Sequence, residues 1–166
     1  MSTSIDYLNK IKSPNKATIE GVQLIDLKVH SDNRGWLSEI VRSDDDYFKG
    51  FGQLYIVNNF DKKAVRAFHM HLNQDEIFIA SNGTLQFILV DERKGSSSYK
   101  EMNCFILDAS RPQCLIVPRG IQHGSMALVE KSQIVALTNE PYNPRQPDEI
   151  RVPFDHYGDI WSVGGW

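Results

Sequence analysis

The chain has 166 residues, of which 41% are hydrophobic and 23% charged, and its formal net charge is -3 at pH 7. That composition is typical of a globular domain, and the length suits one domain with a single core. The net negative charge argues against a nucleic-acid-binding surface. No apolar run approaches the roughly 20 residues of a membrane span.

Residues 1–18 are polar, with a helix-breaking Pro14-Asn15, and are predicted to form a short N-terminal arm before a single domain of residues 19–166. The domain reads as short strands separated by turn residues, which favours an all-β sandwich or barrel. The last stretch, 140–166, contains four prolines and is predicted to be an extended tail over the barrel surface. The predicted strands are Val22–Val29, Gly35–Val41, Gln53–Asn58, Ala64–His71, Asp75–Ala80, Thr84–Asp91, Tyr99–Leu107, Cys114–Val117, Ser125–Leu128 and Ser132–Leu137.

His69 and His71 form an H-x-H pair in one predicted strand. Alternate residues of a strand face the same side, so the two imidazoles point together, while Phe68 and Met70 point the other way. If the histidines face the barrel interior, the opposite face needs an apolar cover, such as a second sheet or a partner subunit.

Two more residues are expected to reach the same cavity. Glu76 follows a short turn and opens the next strand, and His123 follows the turn Pro118-Arg119-Gly120. Neutral imidazole is both the commonest metal ligand and a natural proton shuttle near pH 7. The set His69, His71, Glu76 and His123 therefore either moves protons or holds a divalent metal such as Zn, Ni, Fe or Mn.

The spacing H-x-H-x4-E-x6-G, then P-x-G-x2-H, resembles the two motifs of the cupin superfamily. Over residues 20–161 the chain resembles the dTDP-4-dehydrorhamnose 3,5-epimerases more closely, through D-x-R-G, R-x-x-H, V-D-x-R, P-x-G-x-x-H-G and a tail with Y-x-P and G-D-I-W. The segment R-A-F-H-M-H is more similar to the related dTDP-4-keto-6-deoxyglucose 3,4-ketoisomerases.

The resemblance implies a cupin jelly-roll barrel of two antiparallel sheets, a homodimer with exchanged N-terminal strands, and a pocket for a dTDP-sugar with no required cofactor. It also implies roles for individual residues. His69 matches the catalytic base of the epimerases. In the ketoisomerases, the positions that correspond to His69 and His71 are both catalytic. The positions expected to bind substrate are Arg34, Glu39, Gln53, Arg66, His123 and, in the tail motif, Tyr142.

The match departs from the family at several positions, and two of these departures bear directly on the chemistry. The epimerases use a tyrosine as acid on the strand where this chain has Val135 or Ala136, so Tyr55 is a candidate substitute acid. A lysine common in the epimerase pocket is replaced by Glu76. A carboxylate beside a diphosphate is unfavourable unless a cation lies between them, whereas as a metal ligand it is expected.

These patterns predict an isomerase that acts on a dTDP-linked 4-keto-6-deoxyhexose, in deoxysugar or polysaccharide biosynthesis, by proton transfer beside the ketone. Cys104 and Cys114 are the only cysteines, so no disulfide framework is indicated and a cytoplasmic location is expected. Two alternatives stay open: a metal-dependent cupin enzyme (an oxygenase or a sugar-phosphate isomerase), and a non-catalytic sugar-binding cupin. Neither nucleic acid nor a membrane is an expected partner.

Overall fold

Two facing β-sheets build the molecule in the computed structural model, which describes residues 11–12 and 16–161. The strands within those residues are β1 Ile11–Lys12, β2 Gln23–Asp26, β3 Val29–Asp32, β4 Gly35–Ser38, β5 Gln53–Asn58, β6 Val65–Met70, β7 Glu76–Asn82, β8 Thr84–Asp91, β9 Met102–Asp108, β10 Gln113–Val117, β11 Ile121–Ala127, β12 Gln133–Thr138 and β13 Ile150–Arg151.

The strands form one six-stranded sheet, in the order β1-β9-β8-β11-β6-β13, and one five-stranded sheet, in the order β2-β10-β7-β12-β5. Strands β3 and β4 form a separate hairpin. Among the described pairs, β1 with β9 is parallel and the others are antiparallel. The arrangement confirms the predicted all-β jelly roll of two antiparallel sheets.

The two sheets close over a shared apolar interior. Because side chains alternate along a strand, Leu85, Phe87 and Leu89 of β8 point between the sheets, while Ile88 and Val90 point outward. Both sets are buried, since the outward set is covered by the C-terminal segment. Strand β8 therefore reads as a continuous apolar run instead of an alternating one.

Most predicted strands are confirmed, and β5 and β8 have the predicted bounds. The single strand predicted over Val22–Val29 is wrong, because β2 pairs with β10 only as far as Asp26 and the chain then leaves that sheet for the hairpin. The two-residue strands β1 and β13 were not predicted, since two residues carry no periodicity.

The strand after the P-x-G turn was predicted to begin at Ser125, which is also wrong. Strand β11 begins at Ile121, so His123 lies inside a strand with a fixed register against β6 and β8. The prediction failed because Ile121-Gln122-His123 lacks an alternation of apolar and polar residues.

The division into an arm of residues 1–18 and a domain of residues 19–166 stays a prediction, because residues 1–10, 13–15 and 162–166 lie outside the described part of the chain. Within the arm, β1 lies beside β9, and the Thr18 amide donates a hydrogen bond to Asn103 Oδ1 at 2.9 Å. The described residues include no helix with the length and apolarity needed to cross a bilayer.

Candidate active site

His69 of β6 and His71, which directly follows that strand, point into the same cavity, as predicted, with ring centroids 5.3 Å apart. The neighbouring Phe68 points to the outer face, where it packs against Tyr157 and Trp161 at centroid distances of 5.0 and 5.2 Å. The apolar cover expected there is thus the C-terminal segment of the same chain. This segment packs on the outer face of β6, and the two imidazoles face the interior of the barrel on the other side.

Strand β11 brings the third imidazole to the same place. His123 is the register partner of His69, and their ring centroids are 4.2 Å apart. Strands β6 and β11 approach closely beside this pair, as a Cβ added at Gly124 would show: it would lie only 2.3 Å from the Ala67 Cβ. Glycine at position 124 therefore allows the contact between the two histidines.

The P-x-G turn fixes the start of β11. Gly120 has φ +80°, and a Cβ there would lie 2.6 Å from Arg93 Cγ. Its amide donates a 2.7 Å hydrogen bond to the carbonyl oxygen of His71. The turn thereby ties the strand that carries His123 to the end of the H-x-H pair.

Glu76 lies beneath the histidines at the start of β7 and is 1% exposed. Its Oε2 is 2.9 Å from His123 Nε2 and 3.7 Å from His71 Nε2. Its Oε1 accepts hydrogen bonds from Tyr55 Oη at 3.2 Å and from Gln74 Nε2 at 3.4 Å. The buried carboxylate thus has a partner on each oxygen, as burial of a charge requires.

The Nδ1 atoms of two histidines form hydrogen bonds with backbone carbonyl oxygens. His123 Nδ1 is 3.0 Å from the Ile121 oxygen, and His71 Nδ1 contacts the Asp148 oxygen. A carbonyl only accepts, so each Nδ1 carries the proton that is donated. In both rings this leaves Nε2 directed at Glu76.

The environment sets the protonation states. Burial, helped by His123, lowers the pKa of His69 to about 3, so this imidazole is neutral near pH 7. For His123, burial opposes the charged form, but Glu76 outweighs it and raises the pKa. Burial alone would raise the pKa of Glu76, but the three histidines outweigh it and lower the pKa. Burial, then Glu76, raises the pKa of Tyr55, so its hydroxyl keeps its proton.

A cavity of about 460 Å³ opens above this cluster. Five of the residues predicted for the site line it: Gln53, Tyr55, His69, His71 and Tyr142. Glu76 and His123 lie under its floor, in contact with those histidines. The remaining lining comes from the β6–β7 turn and the C-terminal segment: Asn73, Gln74, Glu140, Pro141, Asn143, Gln146, Asp148, Glu149 and Arg151.

Four predicted substrate-binding residues are not among those that line this cavity: His123, which lies under its floor, and Arg34, Glu39 and Arg66. Arg34 lies at the tip of the β3–β4 hairpin with its side chain 85% exposed and paired with Asp32 at 2.5 Å. Glu39 follows that hairpin. Arg66 donates to Asn59 Oδ1 at 2.9 Å and so joins the two sheets. Their roles in nucleotide binding stay predictions.

Asp148 is a site residue that sequence reasoning missed. Its carboxylate accepts hydrogen bonds from the amides of Leu72, Asn73 and Gln74, directly after the H-x-H pair, at 2.7–3.1 Å. Its own carbonyl contacts His71. No local pattern marks this residue, since its partners lie more than 70 positions earlier in the chain.

The four residues predicted to bind a metal are brought together. One ligand atom from each of His69, His71, Glu76 and His123 can be chosen so that all four lie within 4.8 Å of one another. Three imidazoles and a carboxylate are ligands that divalent transition metals accept. The donor set therefore fits such an ion, which would serve there as a Lewis acid.

Comparison with known proteins adds a family context. The family model described as dTDP-4-dehydrorhamnose 3,5-epimerase matches residues 16–161. The chain is 36% identical over 138 residues to the spore coat polysaccharide biosynthesis protein SpsL of Bacillus subtilis, covering 82% of this chain and 91% of that protein. It is 30% identical over 139 residues to the probable low-salt glycan biosynthesis epimerase Agl13 of Haloferax volcanii, covering 82% and 89%.

Solved structures share the fold. The dTDP sugar isomerase of Desulfovibrio desulfuricans superposes with a TM-score of 0.78 at 23% identity, over 89% of this chain and 94% of that one. A dTDP-4-dehydrorhamnose 3,5-epimerase of Bacillus anthracis, solved with TDP and PPi bound, has a TM-score of 0.78 at 22% identity, over 85% and 83%.

Proposed function

The chain belongs to the dTDP-4-dehydrorhamnose 3,5-epimerase family, and we propose that it epimerises or isomerises a dTDP-linked 4-keto-6-deoxyhexose by proton transfer beside the ketone. The observation that carries the proposal is a neutral imidazole, His69, in the lining of a cavity large enough for a sugar. The proposed reaction requires no cofactor, and the name of the B. subtilis relative supports a place in polysaccharide biosynthesis.

The chemistry suits these residues. The protons on C3 and C5 of a 4-keto sugar are acidic because the adjacent carbonyl stabilises the resulting enolate. Neutral His69 has one lone pair with which to take such a proton. Return of a proton to the opposite face of the same carbon gives the epimer, and the ketone is unchanged.

Tyr55 is the proposed acid. The family's tyrosine would stand at Val135 or Ala136, and Ala136 is the direct cross-strand partner of Tyr55. Directly paired residues share a face of the sheet, with Cβ atoms about 5 Å apart. The Tyr55 hydroxyl on β5 therefore reaches the same part of the cavity that a tyrosine hydroxyl at position 136 of β12 would reach.

A 3,4-ketoisomerase is the second candidate, and the position of His71 favours it. His71 lines the same cavity as His69, so two acid–base groups face one substrate. Transfer of protons among the C3 hydroxyl, C3 and the carbonyl would move the ketone from C4 to C3. The position of the ketone in the product distinguishes the two reactions.

We also propose that two copies of the chain form a homodimer. In one chain, the acidic Glu140, Asp148 and Glu149 outnumber Arg151 in the cavity lining, which is unfavourable for a diphosphate. Arg34 has an exposed guanidinium at the tip of a projecting hairpin. A second copy that inserts this hairpin would supply the missing positive charge, and Glu39 would accompany it.

Exposed apolar residues support the same assembly. Trp36 and Leu37 on the hairpin are 59% and 60% exposed, and Leu54 and Ile56 on the sheet-edge strand β5 are 59% and 62% exposed. Exposed apolar edges of this kind are characteristic of interaction surfaces.

Sedimentation equilibrium is expected to give twice the mass of one chain, and a monomer at micromolar concentration would contradict the dimer.

A cytoplasmic location is proposed as well. The two cysteines, Cys104 and Cys114, are buried and form no disulfide, which suits a reducing compartment.

The test of the function is incubation of the protein with dTDP-4-keto-6-deoxyglucose in D₂O, followed by NMR. The expected result is deuterium at C3 or C5, together with an epimerised carbon or a shifted ketone. Absence of both deuterium and a new product at high enzyme concentration would contradict the proposal. If the nucleotide sugar nevertheless bound tightly, the chain would be a binding protein.

A further inference from the structure

We propose that Asp148 is a positioning residue for His71: its carboxylate anchors the C-terminal segment to the β6–β7 turn, and its carbonyl then selects the His71 nitrogen that exchanges protons with the sugar. The expected effect on turnover rests on the proposed function. The control of the imidazole by Asp148 does not, because it concerns the protein without any sugar.

The carboxylate of Asp148 fastens the C-terminal segment to the residues directly after His71. Its Oδ1 accepts the amide of Leu72 at 3.0 Å, and its Oδ2 accepts the amides of Asn73 and Gln74 at 2.7 and 3.1 Å. The side-chain amide of Asn73 adds a fourth hydrogen bond at 3.3 Å. Successive backbone N–H groups that converge on an anion form a concave binding site, and hydrogen bonds to an ionised acceptor are roughly twice as strong as neutral ones.

The main chain of the same residue holds the imidazole. The Asp148 carbonyl oxygen contacts His71 Nδ1, and a carbonyl only accepts, so Nδ1 carries the proton. The neutral ring then has one lone pair, at Nε2, and His71 lines the cavity. The carboxylate therefore fixes where residue 148 lies, and the carbonyl fixes which nitrogen of His71 takes or returns a proton.

The neighbouring parts of the C-terminal segment do not replace this anchor. Strand β13 pairs with β6 from Arg151 to Ile150, whose register partner is Met70, so the pairing ends one residue short of His71. Residues 141–147, on the other side of Asp148, are exposed. Loss of the carboxylate is therefore expected to leave the carbonyl between an exposed loop and the end of a two-residue strand, with no fixed position against His71.

Nitrogen-15 NMR of the imidazoles tests the tautomer in the absence of sugar, at a pH well above the ordinary imidazole pKa of about 6.5. The His71 signals are assigned by their loss in His71→Asn. In the wild type, the proton is expected on Nδ1. In Asp148→Ala, both tautomers are expected, because the tautomer follows the hydrogen bond that fixes it.

Asp108→Ala is the matched control. Asp108 is also half-buried and also accepts a backbone amide, from Ser110 at 2.8 Å, but it lies at the end of β9 and is not among the residues that line the cavity. This variant should keep the wild-type tautomer of His71. Far-UV circular dichroism shows whether each variant folds.

Steady-state kinetics test the effect on turnover. Asp148→Ala is expected to lower kcat with the dTDP-sugar by about 10- to 100-fold, because small misplacements of a catalytic group are costly, while KM changes less than about threefold. Asp148→Asn keeps one acceptor oxygen, so its kcat should lie between those of the wild type and Asp148→Ala. A purely structural role would lower thermal stability without the change of tautomer.

Three results would overturn the proposal. These are a wild-type His71 with its proton on Nε2, an unchanged tautomer in folded Asp148→Ala, and a kcat for that variant equal to that of Asp108→Ala. If Asp148→Ala does not fold, wild-type tautomer and kcat in Asp148→Asn would overturn it instead. A wild type without turnover would contradict the proposed function, while the NMR comparison would still decide whether Asp148 positions His71.

Discussion

At the scale of single residues, Glu76 organises the site. It is buried, and its two oxygens contact His71, His123, Tyr55 and Gln74. The charge of Glu76 favours a protonated His123, while burial keeps His69 neutral. The two neighbouring imidazoles thus have pKa values shifted in opposite directions, and such separation of pKa values is characteristic of acid–base sites.

Tyr55→Phe tests the proposed acid. Removal of the hydroxyl leaves the ring packed at the same position but takes away the proton donor. Turnover is expected to fall by about 10²–10⁴-fold, the typical size of a general acid contribution, while the affinity for the dTDP-sugar stays within a few-fold. Steady-state kinetics and calorimetry measure the two quantities. Tyr99→Phe, at a position away from the cavity, is the control, and equal turnover in both variants would exclude Tyr55 as the acid.

At the scale of secondary-structure elements, the C-terminal segment supports the strand that carries the histidines. Tyr157, Ile160 and Trp161 pack on the outer face of the six-stranded sheet around Phe68. The Trp161 indole N–H donates to the Phe154 carbonyl at 2.9 Å, which fixes the segment. Since Phe68 and His69 are adjacent in β6, packing on the outer face positions the proposed base on the inner face.

Phe68→Ala is expected to lower the free energy of unfolding by about 3–5 kcal/mol, because it leaves a cavity under two aromatic rings. Urea denaturation measures the change. The control is Phe60→Ala: Phe60 is 80% exposed, and its loss should change stability by less than about 0.5 kcal/mol. Equal effects of the two substitutions would show that the C-terminal segment does not cover β6 in solution.

A second buried carboxylate, Asp91, lies at the end of β8, where the turn towards β9 begins. Asp91 has no exposed surface and accepts hydrogen bonds from Arg93, Ser96 and Ser98 at 2.6–3.0 Å. Arg93 also donates to the Glu20 carbonyl at 2.6 Å, so the network joins the turn to the segment before β2. Burial alone would raise the pKa of Asp91, but these partners outweigh it and lower the pKa.

Asp91→Asn is expected to cost about 3 kcal/mol of stability at pH 7, because Arg93 loses its buried partner. The sign of the pH dependence follows from the lowered pKa. The ionised Asp91 stabilises the fold above its unfolded pKa of about 4, and the contribution is lost as pH falls. Urea titrations should show the gap between wild type and variant closing below pH 4. A gap that is constant from pH 7 to pH 3 would contradict the assignment, and exposed Asp61→Asn is the control.

At the scale of the whole molecule, the sequence predicted those features that depend on local spacing. The two-residue period of a strand is enough to align His69 with His71, and a turn before Glu76 is enough to bring it inward. The partners of Phe68 and the contacts of Asp148 could not be predicted, since they join residues 74 to 93 positions apart. The departure of the chain from the sheet after Asp26 also depends on tertiary pairing, which leaves no signal in the local sequence.

The central claim is that His69 moves a proton at a carbon beside the sugar ketone, and the direct measurement is deuterium exchange by the His69→Asn variant. In D₂O with dTDP-4-keto-6-deoxyglucose, the variant should exchange at least about 10²-fold more slowly than the wild type. Its affinity for dTDP should be unchanged, and a variant at an exposed histidine outside the cavity lining, His156→Asn, should exchange at the wild-type rate. Exchange by His69→Asn at the wild-type rate would contradict the claim.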